Sequence, residues 1–153
     1  MKYCGTLISV SNMEKAREFY EGVMEQKILM ESMGIHVSYE SGLSLQFDYE
    51  GLVGEKLEMH AKPNNFQLYF EVDDIDCWEA KIKSINDIEF LHNTKEYPWG
   101  QRVIRFYDYD KYIIELSESM NAVVKRFVSG GMSIPEVAER MGVPEAYVET
   151  LLS

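Results

Sequence analysis

The chain has 153 residues, 46% of them hydrophobic and 27% charged, the balance of an ordinary folded domain rather than a disordered one. Its formal net charge of −11 repels phosphate backbones, which disfavours a nucleic-acid partner, and draws in cations. No apolar run approaches the ~20 residues of a membrane-spanning helix. The N-terminus carries no secretory pattern, and two cysteines make no disulfide framework. A cytoplasmic location without a membrane partner is therefore expected, with Cys4 and Cys77 read as small buried hydrophobes.

An apolar run from Tyr3 to Val10 reads as a strand. Ser11 and Glu14 then stand at capping-box spacing, and Met13, Ala16, Phe19, Tyr20 and Val23 recur at helical intervals as far as Met24. Lys27 to Glu31, Ile35 to Glu40 and Leu43 to Tyr49 are short apolar runs separated by Met33-Gly34 and Ser41-Gly42, which predicts three antiparallel strands. The segment Gly51 to Asn65 reads as a joint. The same order then returns. Phe66 to Val72 is a strand, and Asp73 or Asp74 caps a helix to about Ser84 with Ile75, Trp78, Ile82 and Ile85 as its stripe. Strands follow near Ile88 to Leu91, Gln101 to Tyr107 and Tyr112 to Leu116.

The repeat can be written residue against residue. Val10-Ser11-Asn12-Met13-Glu14 matches Val72-Asp73-Asp74-Ile75-Asp76, and Leu45-Gln46-Phe47 matches Ile114-Glu115-Leu116. The expected class is α+β, with two tandem βαβββ modules forming a cupped mixed sheet. One such unit leaves a sheet face bare, so two must pair. The halves are residues 1–50 and 66–117 of a domain covering 1–117. Residues 118–153 form a three-helix appendage: Met120 to Ser129 ending at Gly130-Gly131, a capped helix from Ser133 to Gly142, and a last one from Pro144.

Ser133 to Pro144 resembles the first helix and turn of a helix-turn-helix unit. Its would-be recognition helix, Glu145 to Leu152, has two acids and no base, so it lacks the arginine and lysine contacts that DNA requires. Docking on the domain or on a second subunit is expected instead.

Pro98-Trp99-Gly100 followed by Gln101 to Leu116, together with the junctions at Val10 and Val72, is similar to the glyoxalase / bleomycin-resistance / dioxygenase superfamily, the vicinal oxygen chelate fold. The similarity covers about residues 1–117. It departs at Tyr109 and Lys111, where that family usually has proline and glycine in a hairpin turn. In metal-dependent members, four cup-facing positions on the first and last strand of each half hold a divalent ion. The resemblance carries these onto Gly5, Gln46, Gln67 and Glu115. Glu115 is a full ligand and the tentative catalytic carboxylate, the two amides are poor donors to zinc, nickel, iron or manganese, and glycine offers nothing. His36, His60 and His92 form no paired-ligand motif.

Tyr39, Phe47, Tyr69 and Trp99 lie on predicted strands or at their mouths, as a small-molecule cup would require. Arg102 and Arg105 are three apart on one strand and face opposite sides. Arg102, beside Trp99, is expected to reach the pocket. The implied function is small-molecule binding in an aromatic-lined cup formed with Gln46 and Gln67, without a tightly bound metal, and with homodimer formation implied by the family. The alternative is a divalent-metal-dependent lyase, isomerase or dioxygenase, in which the metal polarises substrate oxygens and a carboxylate moves the proton. A third is a sensor whose tail reports ligand occupancy.

Overall fold

The computed structural model describes all residues, 1–153. They divide into two compact units: Met1–Pro63 with Asp108–Lys111, and Asn64–Tyr107 with Tyr112–Ser153.

In the first unit, β1 (Thr6–Val10) leads into α1 (Met13–Arg17), which runs on as a π-helical turn over Glu18–Val23. Strands β2 (Ile28–Ser32), β3 (His36–Tyr39) and β4 (Leu43–Phe47) follow, then a short α2 (Tyr49–Val53). The sheet order is β1-β4-β3-β2, with β1 parallel to β4 and the other pairs antiparallel. Ile8, Val10, Phe19, Tyr20, Val37, Tyr39 and Leu45 are buried, and Phe19 meets Tyr20 edge-on at 5.1 Å. The cap is Asn12 rather than Ser11. Its extended backbone lets the side chain accept from the Lys15 amide at 2.9 Å, while the Ser11 amide donates to Asp110. Helix α2 only ends in the expected joint and takes Tyr49 from the expected end of the preceding strand; it is started by Asp48, whose carboxylate accepts from the Gly51 amide.

The second unit repeats the order: β5 (Gln67–Val72), α3 (Ile75–Lys83), β6 (Phe90–Glu96), β7 (Arg102–Tyr107) and β8 (Ile113–Glu118). Its sheet runs β5-β8-β7-β6, with β5 parallel to β8. Asp74 caps α3 by accepting from the Cys77 amide at 2.9 Å, and Ile75 and Ile82 are fully buried. Strand β6 begins later and runs further than its apolar residues suggest. It is an edge strand with register breaks after Phe90 and His92, so backbone pairing rather than side-chain burial carries its polar end. Lys111 adopts a left-handed conformation (φ 66°) in the β7–β8 turn, at the place where the resembled family has glycine.

The two strand–helix junctions match as the repeat predicts, with caps Asn12 and Asp74 each two residues beyond Val10 and Val72. The match of the last strands is corrected by the register. Ile8 lies across from Leu45 and Phe70 across from Leu116, so Leu45 corresponds to Leu116 and Ser44, not Gln46, to Glu115. The slip is two residues. Strand side chains have a period of two, so such a slip keeps every residue on its face and leaves the apolar pattern unchanged.

Beyond β8 stand α4 (Met120–Ser129), α5 (Ile134–Met141) and α6 (Glu145–Leu152). They share a core of Val123, Val124, Phe127, Val137, Ala138, Met141 and Val148. Cys4 and Cys77 are exposed rather than buried. No helix is long and apolar enough to cross a membrane.

Helix α4 is tied to the second sheet by a buried carboxylate. Glu118, at the end of β8, is 1% exposed. Arg102 of β7 donates to it at 3.1 and 3.3 Å, and Arg126 of α4 at 2.8 and 3.0 Å. Burial pushes this carboxyl upward, but the hydrogen bonds from Arg126 and Arg102 outweigh it and hold the group below the usual carboxylate range. A depressed folded-state value means the group stabilises the protein at neutral pH and loses that contribution as pH falls below its ordinary value of 4.5. Glu118→Gln should therefore cost about 3 kcal/mol at pH 7, because it leaves two guanidinium groups short of a partner. The deficit relative to the unaltered chain should shrink towards pH 3. Urea unfolding at both values measures it.

Candidate functional site

The polar cluster on the second sheet is built around Glu115, which is 6% exposed. It sits in mid-β8, directly across from Arg105 on β7 and from Tyr69 on β5. Gln67 Nε2 donates to Glu115 Oε2 at 2.6 Å, Arg105 Nη2 donates to the same oxygen, and the Ser117 hydroxyl donates to Oε1 at 3.1 Å. Arg105 is itself held in place: its Nε donates to Gln67 Oε1 at 3.2 Å and its Nη1 to the Tyr97 hydroxyl and to His92 Nε2. Since His92 Nδ1 lies 2.8 Å from the Asn93 carbonyl, Nδ1 carries the proton and Nε2 accepts from Arg105.

Aromatic rings border this cluster. Tyr97 and Trp99 stack with centroids 4.8 Å apart. The Trp99 indole donates to Gln101 Oε1 at 3.1 Å, and Gln101 Nε2 in turn lies 3.4 Å from the Tyr69 hydroxyl. Tyr69 and Trp99 are 50% and 39% exposed. Burial, and then the hydrogen bond to Glu71, push the Tyr69 phenol up to about 12, so it remains a neutral donor at physiological pH.

The candidate residues of the first half form a separate arrangement on their own sheet. Gln46 is buried on β4, where its Oε1 accepts from His36 Nδ1 at 3.0 Å and its Nε2 donates to the Phe47 carbonyl at 2.8 Å. His36 Nε2 and the Ser38 hydroxyl are hydrogen-bonded at 2.9 Å, and Ser44 completes the chain at 3.0 Å. Two expectations need correction here. Tyr39 is fully buried, alternating with Ser38 onto the core face, where its hydroxyl donates to Glu21. Phe47 follows Gln46 directly on β4, so it points to the opposite side of the sheet.

Arg102 is also corrected. It shares the opposite face of β7 with Glu118 and pairs with Asp76 at 2.8 Å. Arg105, not Arg102, is the arginine beside Glu115. The sequence carried parity alone, which sets the two arginines on opposite faces, and the register of β7 on β8 decides that Arg105 is the one across from Glu115. Tyr97 and His92 carried no comparable signal, because they reach Arg105 from an irregular edge segment.

These residues do not fit a divalent metal. Gly5 has φ 148°, and a Cβ there would lie 2.0 Å from the Gly42 carbonyl oxygen, so no ligating side chain can be accommodated. Both amide oxygens are occupied, Gln46 by His36 and Gln67 by Arg105. The one carboxylate sits against a guanidinium, which repels a cation. No group of three His, Cys, Asp or Glu side chains gathers where a metal could sit.

The Arg105–Glu115 pair should be energetically coupled, because Glu115 is buried and would otherwise be left as an uncompensated charge. In a double-mutant cycle of Arg105→Met and Glu115→Gln, the coupling should be about 1–3 kcal/mol by chemical denaturation. A value near zero would mean the contact is incidental.

Comparison with known proteins agrees with this architecture. The sequence profile described as a glyoxalase-like domain matches residues 3–121. A crystal structure of a protein of unknown function from Agrobacterium tumefaciens str. C58 is 31% identical with a TM-score of 0.70, covering 78% of this chain and 95% of that one. A lactoylglutathione lyase from Agrobacterium tumefaciens (19% identity, TM-score 0.60, 77% and 93% covered) shares the fold. So does a glyoxalase/bleomycin resistance protein/dioxygenase from Nocardioides (18%, 0.60, 77% and 83%). No protein of curated function matches the chain. The profile spans both βαβββ halves, and the chain belongs to the glyoxalase-like domain family of the vicinal oxygen chelate superfamily.

Proposed function

We propose that this protein binds a small, planar, uncharged molecule on the exposed face of the second sheet, without a catalytic divalent metal. The observation that carries this reading is the pairing of Glu115 with the charge of Arg105 and a hydrogen bond from Gln67 beside the exposed rings of Tyr69 and Trp99. A buried ion pair already balanced offers no net charge to a ligand. What remains for recognition is the surface of the Tyr69 and Trp99 rings beside polar groups already paired with one another, a mainly apolar site. Glu115 serves here as a holding group for Arg105 and Gln67 rather than as a base.

Lumichrome, a neutral planar heterocycle with polar edges, is a suitable probe. In a Trp78→Phe background, which leaves Trp99 as the sole tryptophan, it should quench Trp99 emission with saturation in the micromolar range. Tyr69→Ala should weaken binding about tenfold, the equivalent of one aromatic contact. Equal quenching with and without Tyr69 would refute the site. Protein dialysed against zinc or nickel should retain much less than one equivalent. Stoichiometric metal lost on Glu115→Ala would place the metal-dependent lyase, isomerase or dioxygenase reading first.

A homodimer belongs to the same reading. Strand β2 is an edge of its sheet, and its Ile28, Leu29 and Met30 are exposed on both faces. An apolar edge of this kind favours pairing with another chain. Sedimentation equilibrium at micromolar concentration should return twice the chain mass, and a monomer mass would remove this part of the proposal.

A further inference from the structure

The family profile ends at residue 121, so α5, α6 and nearly all of α4 lie outside it. Through Arg126 and Phe127, α4 nonetheless reaches the turn that carries two of the site's rings. Residues 97–101 form a tight turn closed by the Tyr97 amide on the Gln101 carbonyl (2.9 Å) and the Gly100 amide on the Tyr97 carbonyl (2.8 Å). Its tip, Gly100, is pressed against α4. A Cβ at Gly100 would lie 2.2 Å from Phe127 Cζ and 2.4 Å from Cε2, and the Gly100 φ of 90° is one that side chains rarely adopt. Arg126 Nη2 donates to the Gly100 carbonyl at 2.6 Å. The helix therefore holds the turn by ring contact and by a charge-assisted hydrogen bond.

From the same turn, contacts lead into the cluster on the sheet. Tyr97, at one end, accepts from Arg105. Trp99, next to the tip, stacks on Tyr97 and hydrogen-bonds Gln101. Gln101 Nε2 donates to the Glu118 carbonyl at 2.9 Å, one residue before the N-cap of α4 at Ser119. Every ring of the turn is thus one or two contacts from α4. A turn displaced by an ångström would carry Tyr97 off Arg105 and Trp99 off Gln101, and a site works only while its supporting shell holds it to a fraction of that distance.

We propose that Phe127 and Arg126 of the helical tail, acting on Gly100, are positioning residues for the aromatic wall of the binding site, so that the tail sets ligand affinity without touching the ligand. This rests on the binding reading above, but its first consequence is readable without any ligand.

The test uses the full chain in the Trp78→Phe background. Gly100→Ala should shift and broaden Trp99 emission and weaken lumichrome binding about tenfold. Phe127→Leu, which removes the ring contact and adds no clash, should move Trp99 emission in the same direction. Arg126→Gln introduces no clash and should move Trp99 emission in the same direction by a smaller amount, so the inference is still tested if Gly100→Ala does not fold. Unchanged emission in both Phe127→Leu and Arg126→Gln would overturn the proposal. If emission responds while the parent binds no lumichrome, the positioning role stands and the binding reading falls.

Discussion

Two carboxylates lie buried on one six-residue strand, and the second half of the molecule is organised by the need to neutralise both. Glu115 and Glu118 of β8 are 6% and 1% exposed and three residues apart, so they face opposite sides of the sheet. Strand β7 supplies a guanidinium to each, Arg105 to Glu115 and Arg102 to Glu118. An uncompensated charge at either place would be strongly destabilising. The antiparallel register of β7 on β8 is therefore specified electrostatically as well as by the apolar pairs Ile104↔Leu116 and Phe106↔Ile114. A slip of one residue would turn both arginines away from their partners.

The two pairs have different consequences because different neighbours complete them. On one face, Glu118 is shared with Arg126, which brings α4 onto the sheet and aligns Phe127 with Gly100. On the other, Glu115 is completed by Gln67 and Ser117, and Arg105 by His92 and Tyr97. The first arrangement is an anchor for helices that the family profile does not include. The second is a neutral polar floor bordered by exposed rings. The Gly100 turn is where they meet, since Gln101 bonds the backbone of Glu118 on one side and approaches Tyr69 on the other.

This also explains why family membership does not by itself carry metal chemistry to this chain. Within this fold a metal site requires carboxylate and imidazole donors free to turn towards the ion. Here the position before β1 has no room for a side chain, the amides are engaged, and Glu115 is already held by a cation. Architecture and site chemistry are separable, and the chemistry has to be judged on the side chains present.

The repeated strand–helix–strand–strand–strand order, the cap at Asp74 and the three tail helices were legible in the sequence, because each depends on local periodicity and on residues such as Ser133, Gly142 and Pro144 whose preferences are intrinsic. Gln67 and Glu115 were singled out together only through the family resemblance, which carries cup-facing positions onto both. What the sequence alone could not determine is register and side-chain choice across strands. A two-residue offset between the halves leaves every apolar position in place, Tyr39 and Phe47 have the composition of a cup lining whichever face they take, and Arg102 and Arg105 differ only in parity. Tertiary pairing decided these. Only the packed sheet determines which guanidinium meets which carboxylate, and only the docked helix shows that Gly100 is needed to leave room for Phe127.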